Sequence, residues 1–237
     1  MDLVGFFYGF GVLQGLILAG VLVFAPSGHR LANAIMAGLV VAIALNLLQS
    51  WLIRLGYYLE HPAGALLIPP LDFTWGPLLY LYAYTLTTGD THWRQLLHFL
   101  PAAAILLGSS PAFWQNSPEE QRAFIGYLWS LRTDESLQQV FTASTPAFWE
   151  VWVEFHLHSS LFVLQFGIYC ALVVRRISHH NHHLQRHFSS LEDMNLRWLR
   201  RLTLACLLFL LVFLLFNRAQ LLLVGHFDVN APGPSTP

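Results

Sequence analysis

The chain opens with an uncharged apolar run, LVGFFYGFGVLQGLILAGVLVF, that extends from Leu3 to Phe24. A helix of about 20 apolar residues crosses the hydrocarbon core of a bilayer, and this run is long enough to do so. Five further apolar runs follow it, at residues 31–53, 71–86, 96–107, 151–174 and 202–224. The fourth is short by itself and reaches a full crossing when it is extended to Phe113 and Trp114. The sequence therefore predicts an all-α fold, a polytopic transmembrane helix bundle of six spans over residues 1–225.

The distribution of the basic residues, all of them arginines, predicts the orientation of this bundle. The gaps at 25–30, 87–95 and 175–201 hold eight arginines and three acidic residues. The other gaps, both termini and the adjoining outer ends of the apolar runs hold four arginines and ten acidic residues. Because arginine-rich short loops stay in the cytoplasm, the first set of gaps faces inward, and both termini are expected outside.

Composition limits the classes of function. A hydrophobic fraction of 55% with only 11% charged residues is typical of a membrane protein, whose first partner is the lipid bilayer. The sequence contains no phosphate-binding glycine loop, no intramembrane zinc helix motif and no nucleophile elbow. We therefore predict that the chain is not an enzyme and that it needs no cofactor.

The segments between and after the apolar runs have sequence patterns that predict their structure. In the outer loop at 111–149, Ser117, Pro118 and Glu120 form a capping box, which predicts a helix lying on the outer leaflet. The inner gap at 175–201 forms a linker, and residues 226–237, rich in proline and small residues, predict a disordered tail.

Polar residues within the apolar runs are the strongest functional lead, since an unsatisfied polar group in hydrocarbon is costly. With the N-terminus outside, most of them lie toward the outer side and one lies near mid-depth. We therefore predict a ligand-binding cluster formed by Gln14, Asn46, Gln49, Asp72, Glu154 and His158. The alternative is that these groups only join helices or lie among the lipid headgroups.

Two patterns raise the question of a metal. Glu154 and His158 have the spacing of two ligands on one helix face, but the sequence offers no evident third ligand. The inner gap holds a histidine tract with His179, His180, His182 and His183. We interpret that tract as a solvated helix beside the membrane, where neighbouring arginines meet anionic lipid, and predict no metal site. A transition-metal site in the tract is the alternative.

Three segments carry a family resemblance: WGPLLYLY at 75–82, WRQLLHFLP at 93–101 and LEDMNLRWLRR at 191–201. They resemble stretches of the N-terminal membrane region of bacterial transcription regulators whose C-terminal half is an AraC-type helix-turn-helix domain. FYGFGVLQG at 7–15 is similar to the first helix of that region. The likeness extends in order over essentially the whole chain and implies a bacterial inner-membrane protein.

The resemblance implies a function, but the chain differs from the family in its C-terminal part. Members of that family carry a seventh span and then the DNA-binding domain, and neither follows residue 224 here. The expected function is that of a truncated sensory domain, which senses a small or membrane-derived ligand and binds no nucleic acid itself. Its signal is expected to pass through spans five and six to Asp193, Arg197, Arg200 and Arg201. A homodimer is expected by the same analogy. A small transporter and a metal-handling protein are the alternatives.

Overall fold

The computed structural model describes residues 3–25, 29–61, 71–115, 117, 121, 146–187 and 196–227. Side chains are described for 3–25, 29–61, 71–107, 117, 121, 157–182, 196, 198–212 and 215. Within these ranges the regular structure is helical and no strand occurs, so the predicted all-α class is confirmed.

Each predicted apolar run coincides with helix. The elements are α1 (Leu3–Phe24), α2 (Arg30–Arg54), α3 (Tyr57–Glu60), α4 (Asp72–Thr88), a 3₁₀ segment (Trp93–Phe99), α5 (Leu100–Gln115), α6 (Pro146–His187) and α7 (Arg197–Phe227). They form two compact units, Met1–Arg176 and Ile177–Pro237, which are described separately. Helix–helix contacts below concern the first unit.

Three stretches in the described part have the length and composition to cross a bilayer: Leu3–Phe24, Arg30–Arg54 and Leu157–His182. Large apolar side chains cover the outside of these helices; Phe7 on α1 is 61% exposed and Leu164 on α6 is 62% exposed. In a soluble protein such surfaces would drive aggregation, whereas lipid tails cover them at no cost.

Three predicted boundaries are corrected. The fourth apolar helix begins at Leu100 rather than at residue 96, because Trp93–Phe99 forms a 3₁₀ segment capped by the side chain of Gln95. Pro101 then lies in the first turn of α5, where its missing N–H costs no hydrogen bond. The inner gap at 175–201 is partly helix, since α6 continues to His187 and α7 begins at Arg197.

The predicted interfacial helix lies largely outside the described residues, as does the tail from 228. One described contact belongs to its start: the Gln121 N–H donates a hydrogen bond to the Ser117 carbonyl at 3.0 Å, which is the spacing of a helical turn.

Small residues bring α1 and α2 together. A Cβ on Gly15 would lie 2.9 Å from Ala44 Cβ, and one on Gly9 would lie 3.1 Å from the Trp51 ring. These pairs advance in opposite directions along the two helices, so α1 and α2 form an antiparallel hairpin. Glycines spaced along α1 therefore let the two helices approach closely.

Helix α4 packs antiparallel to α2 and ends at a glycine. Asn46 contacts Asp72 at one end, and Gly38 faces Leu78 farther along. Gly89, with φ of 79°, closes the last turn of α4 by donating its N–H to the Thr85 carbonyl at 2.8 Å. A left-handed residue at this position is the usual helix terminator, and glycine adopts it without strain.

Candidate functional site

The contact between α4 and α6 originates in a proline. Pro77 has no N–H, so the carbonyl of Phe73, one turn earlier, loses its partner within the helix. Gln165 of α6 supplies the missing donor, with Nε2 2.9 Å from the Phe73 oxygen. One turn of α6 later, Tyr169 packs directly onto Gly76, where a Cβ would come within 2.6 Å of its ring. The Trp75-Gly76-Pro77 motif therefore joins α4 to α6.

Successive contacts show that α4 and α6 run parallel. Asp72 faces His158, Phe73 faces Gln165 and Gly76 faces Tyr169. Near the other end of α4, Thr87 accepts a hydrogen bond from Arg176 Nε at 2.7 Å. The partner on α6 advances with the residue on α4 throughout, so the two helices are in contact over nearly the whole length of α4.

Asp72, the first residue of α4, is where three helices meet. Its Oδ1 accepts a hydrogen bond from Asn46 Nδ2 of α2 at 2.5 Å. Its Oδ2 faces His158 Nε2 of α6 at 4.0 Å. That second distance is longer than a hydrogen bond, which requires about 3.2 Å or less. One carboxylate oxygen is thus held by an amide, while the other approaches an imidazole without bonding to it.

Aromatic rings lie beside this cluster. The Phe73 ring meets the His158 ring edge to face, with 5.0 Å between centroids, and Phe162 contacts both Phe73 and Trp75. The Asp72 and His158 side chains keep 21% and 28% of their surface exposed. The cluster therefore combines apolar contacts with partly exposed polar groups, as ligand sites commonly do.

Two buried polar atoms beside these rings lack a hydrogen-bond partner within the described part of the chain. They are the Trp75 indole nitrogen and the Gln165 side-chain oxygen. An unpaired buried polar atom costs about 1–3 kcal/mol, so the indole N–H and the amide oxygen each retain capacity for a further hydrogen bond.

Of the six predicted ligand residues, the structure brings together Asn46, Asp72 and His158. Gln49 is buried at 8% exposure and has an interaction partner, as expected of a residue that joins helices. Gln14 lies exposed on α1. Glu154 lies on α6 one turn before His158, and its side chain is outside the described set.

A second cluster at the other end of α4 was not predicted. His98 Nδ1 lies 3.0 Å from the Tyr169 hydroxyl, and Tyr80 packs against both rings. The Arg176 guanidinium lies 4.0 Å above the Tyr84 ring centroid, in cation–π geometry. The available signal was the spacing of Tyr80 and Tyr84, which places both rings on one face of α4.

The predicted transmission residues and the histidine tract belong to the second unit. Arg200 and Arg201 are exposed in the first turns of α7, which Arg197 begins, and Asp193 lies outside the described residues. In the tract, His179 and His182 are exposed and His180 is half-buried, while the His183 side chain is not described. Among the side chains that the structure describes, no three His, Cys, Asp or Glu residues come close enough to hold a metal.

Comparison with protein-family models, with curated proteins and with solved structures finds no match for this chain.

Proposed function

We propose that this chain is the sensory region of a bacterial inner-membrane protein, similar to the membrane region of AraC-type regulators, and that it binds a small ligand at the outer end of a six-span bundle. The observation that carries the proposal is the meeting of Asn46, Asp72 and His158 from three different helices. Polar and ionisable groups inside membrane segments are costly and most often mark functional sites.

The parallel arrangement of α4 and α6 supports the six-span topology. Helix α4 rises about 25 Å over its length. Because His158 lies level with Asp72 at the start of α4, the chain between Thr88 and His158 must return over that distance. Helix α5 packs against α4 and is long enough to make the return. Together with the inward arginine gaps, this return supports a topology in which Asp72 faces outward and Arg176 faces the cytoplasm.

A ligand bound at the cluster would change the spacing of α4 and α6. Asp72 and His158 face each other across 4.0 Å on neighbouring helices, so a molecule that contacts both favours one particular spacing of α4 and α6. A ligand shifts a conformational equilibrium only by its differential affinity for the two states, and contacts that depend on helix spacing supply such a difference.

Helix α6 supplies the route inward. It is one unbroken helix from Pro146 to His187, and it carries His158 toward its start and the histidine tract at its end. A displacement of α6 at His158 would therefore also displace the end of α6, which leads into the linker that precedes α7. Asp193, Arg197, Arg200 and Arg201 remain our candidates for passing the signal to an output domain or partner.

Hydrogen–deuterium exchange of the full chain in lipid nanodiscs tests this coupling. We expect Asp72→Asn, which removes the carboxylate that faces His158, to change the exchange rate of residues 197–201. Thr74→Val is the matched control on the same turn of α4, because the hydroxyl of Thr74 donates a hydrogen bond to the Leu71 carbonyl, three residues earlier in the chain. If both variants leave the exchange of 197–201 as in the parent protein, the sensory proposal is wrong.

A further inference from the structure

We infer that α1 is a dimerisation surface, on which Gln14 pairs with the same residue of a second copy of this chain within the membrane. Two observations carry the inference: the exposed position of an amide at the middle of α1, and the row of exposed apolar side chains that contains it. The inference is independent of the proposed function, because it requires only that α1 crosses the bilayer.

Gln14 carries the only side-chain amide in α1, a helix with the length and composition of a membrane span. At a rise of 1.5 Å per residue it lies about 15 Å from either end of the helix, at the depth of the hydrocarbon centre. Its side chain is exposed, and no hydrogen bond joins it to another of the residues that the structure describes. Lipid tails offer neither donor nor acceptor, so an amide at this depth is costly until another polar group pairs with it.

The other helices of the chain offer little that could pair with Gln14 at this depth. Helix α2 covers the glycine face of α1, and Gln14 remains exposed beside it. The amides of Asn46 and Gln165 already donate hydrogen bonds to α4. Helix α7 carries no side-chain nitrogen or oxygen between residues 204 and 216. A second copy, in contrast, brings the same amide to the same depth, because both copies have one orientation in the membrane.

The surface around Gln14 has the spacing of a parallel helix pair. Its residues follow one another at alternating steps of four and three, and the apolar ones are each more than half exposed: Leu3, Phe7, Phe10, Gln14, Ile17 and Val21. This spacing keeps one seam facing the partner when two helices wind around each other left-handedly, and a single polar residue in the seam fixes the register. An amide both donates and accepts, so two copies related by a twofold axis exchange two hydrogen bonds at Gln14.

Energy transfer between labelled full-length chains in lipid vesicles measures the dimer. Donor and acceptor dyes are attached to Asp90→Cys, at an exposed position, in a chain whose Cys170 and Cys206 are replaced by serine, and the ratio of lipid to protein is varied. We expect a dimer of the parent chain that Gln14→Leu weakens about tenfold, because the hydrogen bonds between the two amides are lost. Gln14→Asn keeps an amide at this position and should retain most of the dimer.

Ile17 and Leu13 are a matched pair that tests the seam itself. Both lie within one turn of Gln14, and their side chains are exposed to almost the same degree, 59% and 58%. Ile17 belongs to the seam, whereas Leu13 lies about 100° away from Gln14 around the helix. Ile17→Ala should therefore weaken the dimer in the same vesicle assay, and Leu13→Ala should leave it as in the parent chain.

Disulfide cross-linking in the membranes of the expressing cells locates the contact with Gln14 in place, so it remains a test even if a Gln14 variant does not fold. In the chain without native cysteines, Phe10→Cys and Ile17→Cys should cross-link on oxidation, and Leu13→Cys should not. A monomer at every ratio of lipid to protein overturns the inference and would mean that Gln14 is covered within its own chain. A dimer that Gln14→Leu leaves unchanged, or that cross-links at position 13 instead, also overturns it, because another surface then makes the contact.

Discussion

At the residue scale, Pro77 removes one hydrogen bond from α4 and Gln165 replaces it from α6. We expect Gln165→Leu to leave the Phe73 carbonyl unpaired and to lower the free energy of unfolding by about 1–3 kcal/mol. Unfolding in mixed micelles measures the change. The cost should fall in a Pro77→Ala background, because the restored N–H satisfies the carbonyl within the helix. Equal costs in both backgrounds would contradict this account of the contact.

Tyr58, outside the apolar runs, gives a prediction of pH dependence. Burial, together with the neighbouring Tyr57, raises the pKa of this phenol above its usual 10.0. The folded state therefore binds the proton more tightly than the unfolded state does. The resulting stability is present below pH 10 and is lost as the pH rises through the folded-state pKa. Between pH 9 and pH 11, the unfolding temperature of Tyr58→Phe should fall less than that of the parent chain. Equal decreases would contradict the prediction that Tyr58 contributes to the pH dependence.

The residue scale is also where sequence reasoning was least complete. Helical periodicity places Asn46 and Gln49 one turn apart, but only the register between α2 and α4 decides that Asn46 bonds to Asp72. Gln14 was predicted as a ligand residue from its depth in the membrane. Depth does not show which face of α1 a residue occupies, and Gln14 lies on an exposed face. Contacts between residues far apart in the chain depend on packing that a single sequence does not encode locally.

At the element scale, two glycines offer a matched comparison. In a helix interior, Gly→Ala gains about 0.5–1 kcal/mol from reduced backbone freedom. At Gly167 of α6 the added Cβ meets nothing within 4 Å, so we expect that gain. At Gly76 it would meet the Tyr169 ring at 2.6 Å, and overpacking of about 1–3 kcal/mol outweighs the gain.

The two substitutions should therefore change stability in opposite directions, as measured by unfolding in mixed micelles. Tyr169→Leu should relieve much of the effect of Gly76→Ala, since it removes the ring that the Cβ meets. A stabilising Gly76→Ala would show that α4 and α6 are not in close contact at this level.

Element boundaries followed from sequence where composition changes sharply. Helix α1 has the predicted ends because charge and small polar residues flank an uncharged run. The 3₁₀ segment was missed, since Trp93, Leu96 and Leu97 match the apolar pattern of a span while a capping contact between His92 and Gln95 sets a different geometry. The histidine tract was interpreted as a helix beside the membrane, but its continuity with the fifth apolar run was not predicted, because apolar composition marks only the part of the helix within the span.

At the scale of the whole molecule, the arginine distribution predicts which gaps face the cytoplasm, and cysteine labelling can test that prediction. In a chain whose native Cys170 and Cys206 are replaced by serine, single cysteines are introduced at the exposed positions Glu60, Asp90 and His182. An impermeant maleimide applied to intact cells should label Glu60→Cys alone, because the arginine-rich gaps that hold the other two positions face the cytoplasm.

Permeabilised cells provide the control, since all three cysteines should then react. The comparison of positions 60 and 90 isolates α4, which is the main helix between them and is shorter than the usual crossing. Labelling of both from outside would mean that α4 does not cross and that α5 need not return. If neither position is labelled in intact cells and both react after permeabilisation, both lie inside, and α4 again does not cross the membrane. Only opposite sides are compatible with Asp72 and His158 opening outward while Arg176 lies at the cytoplasmic face.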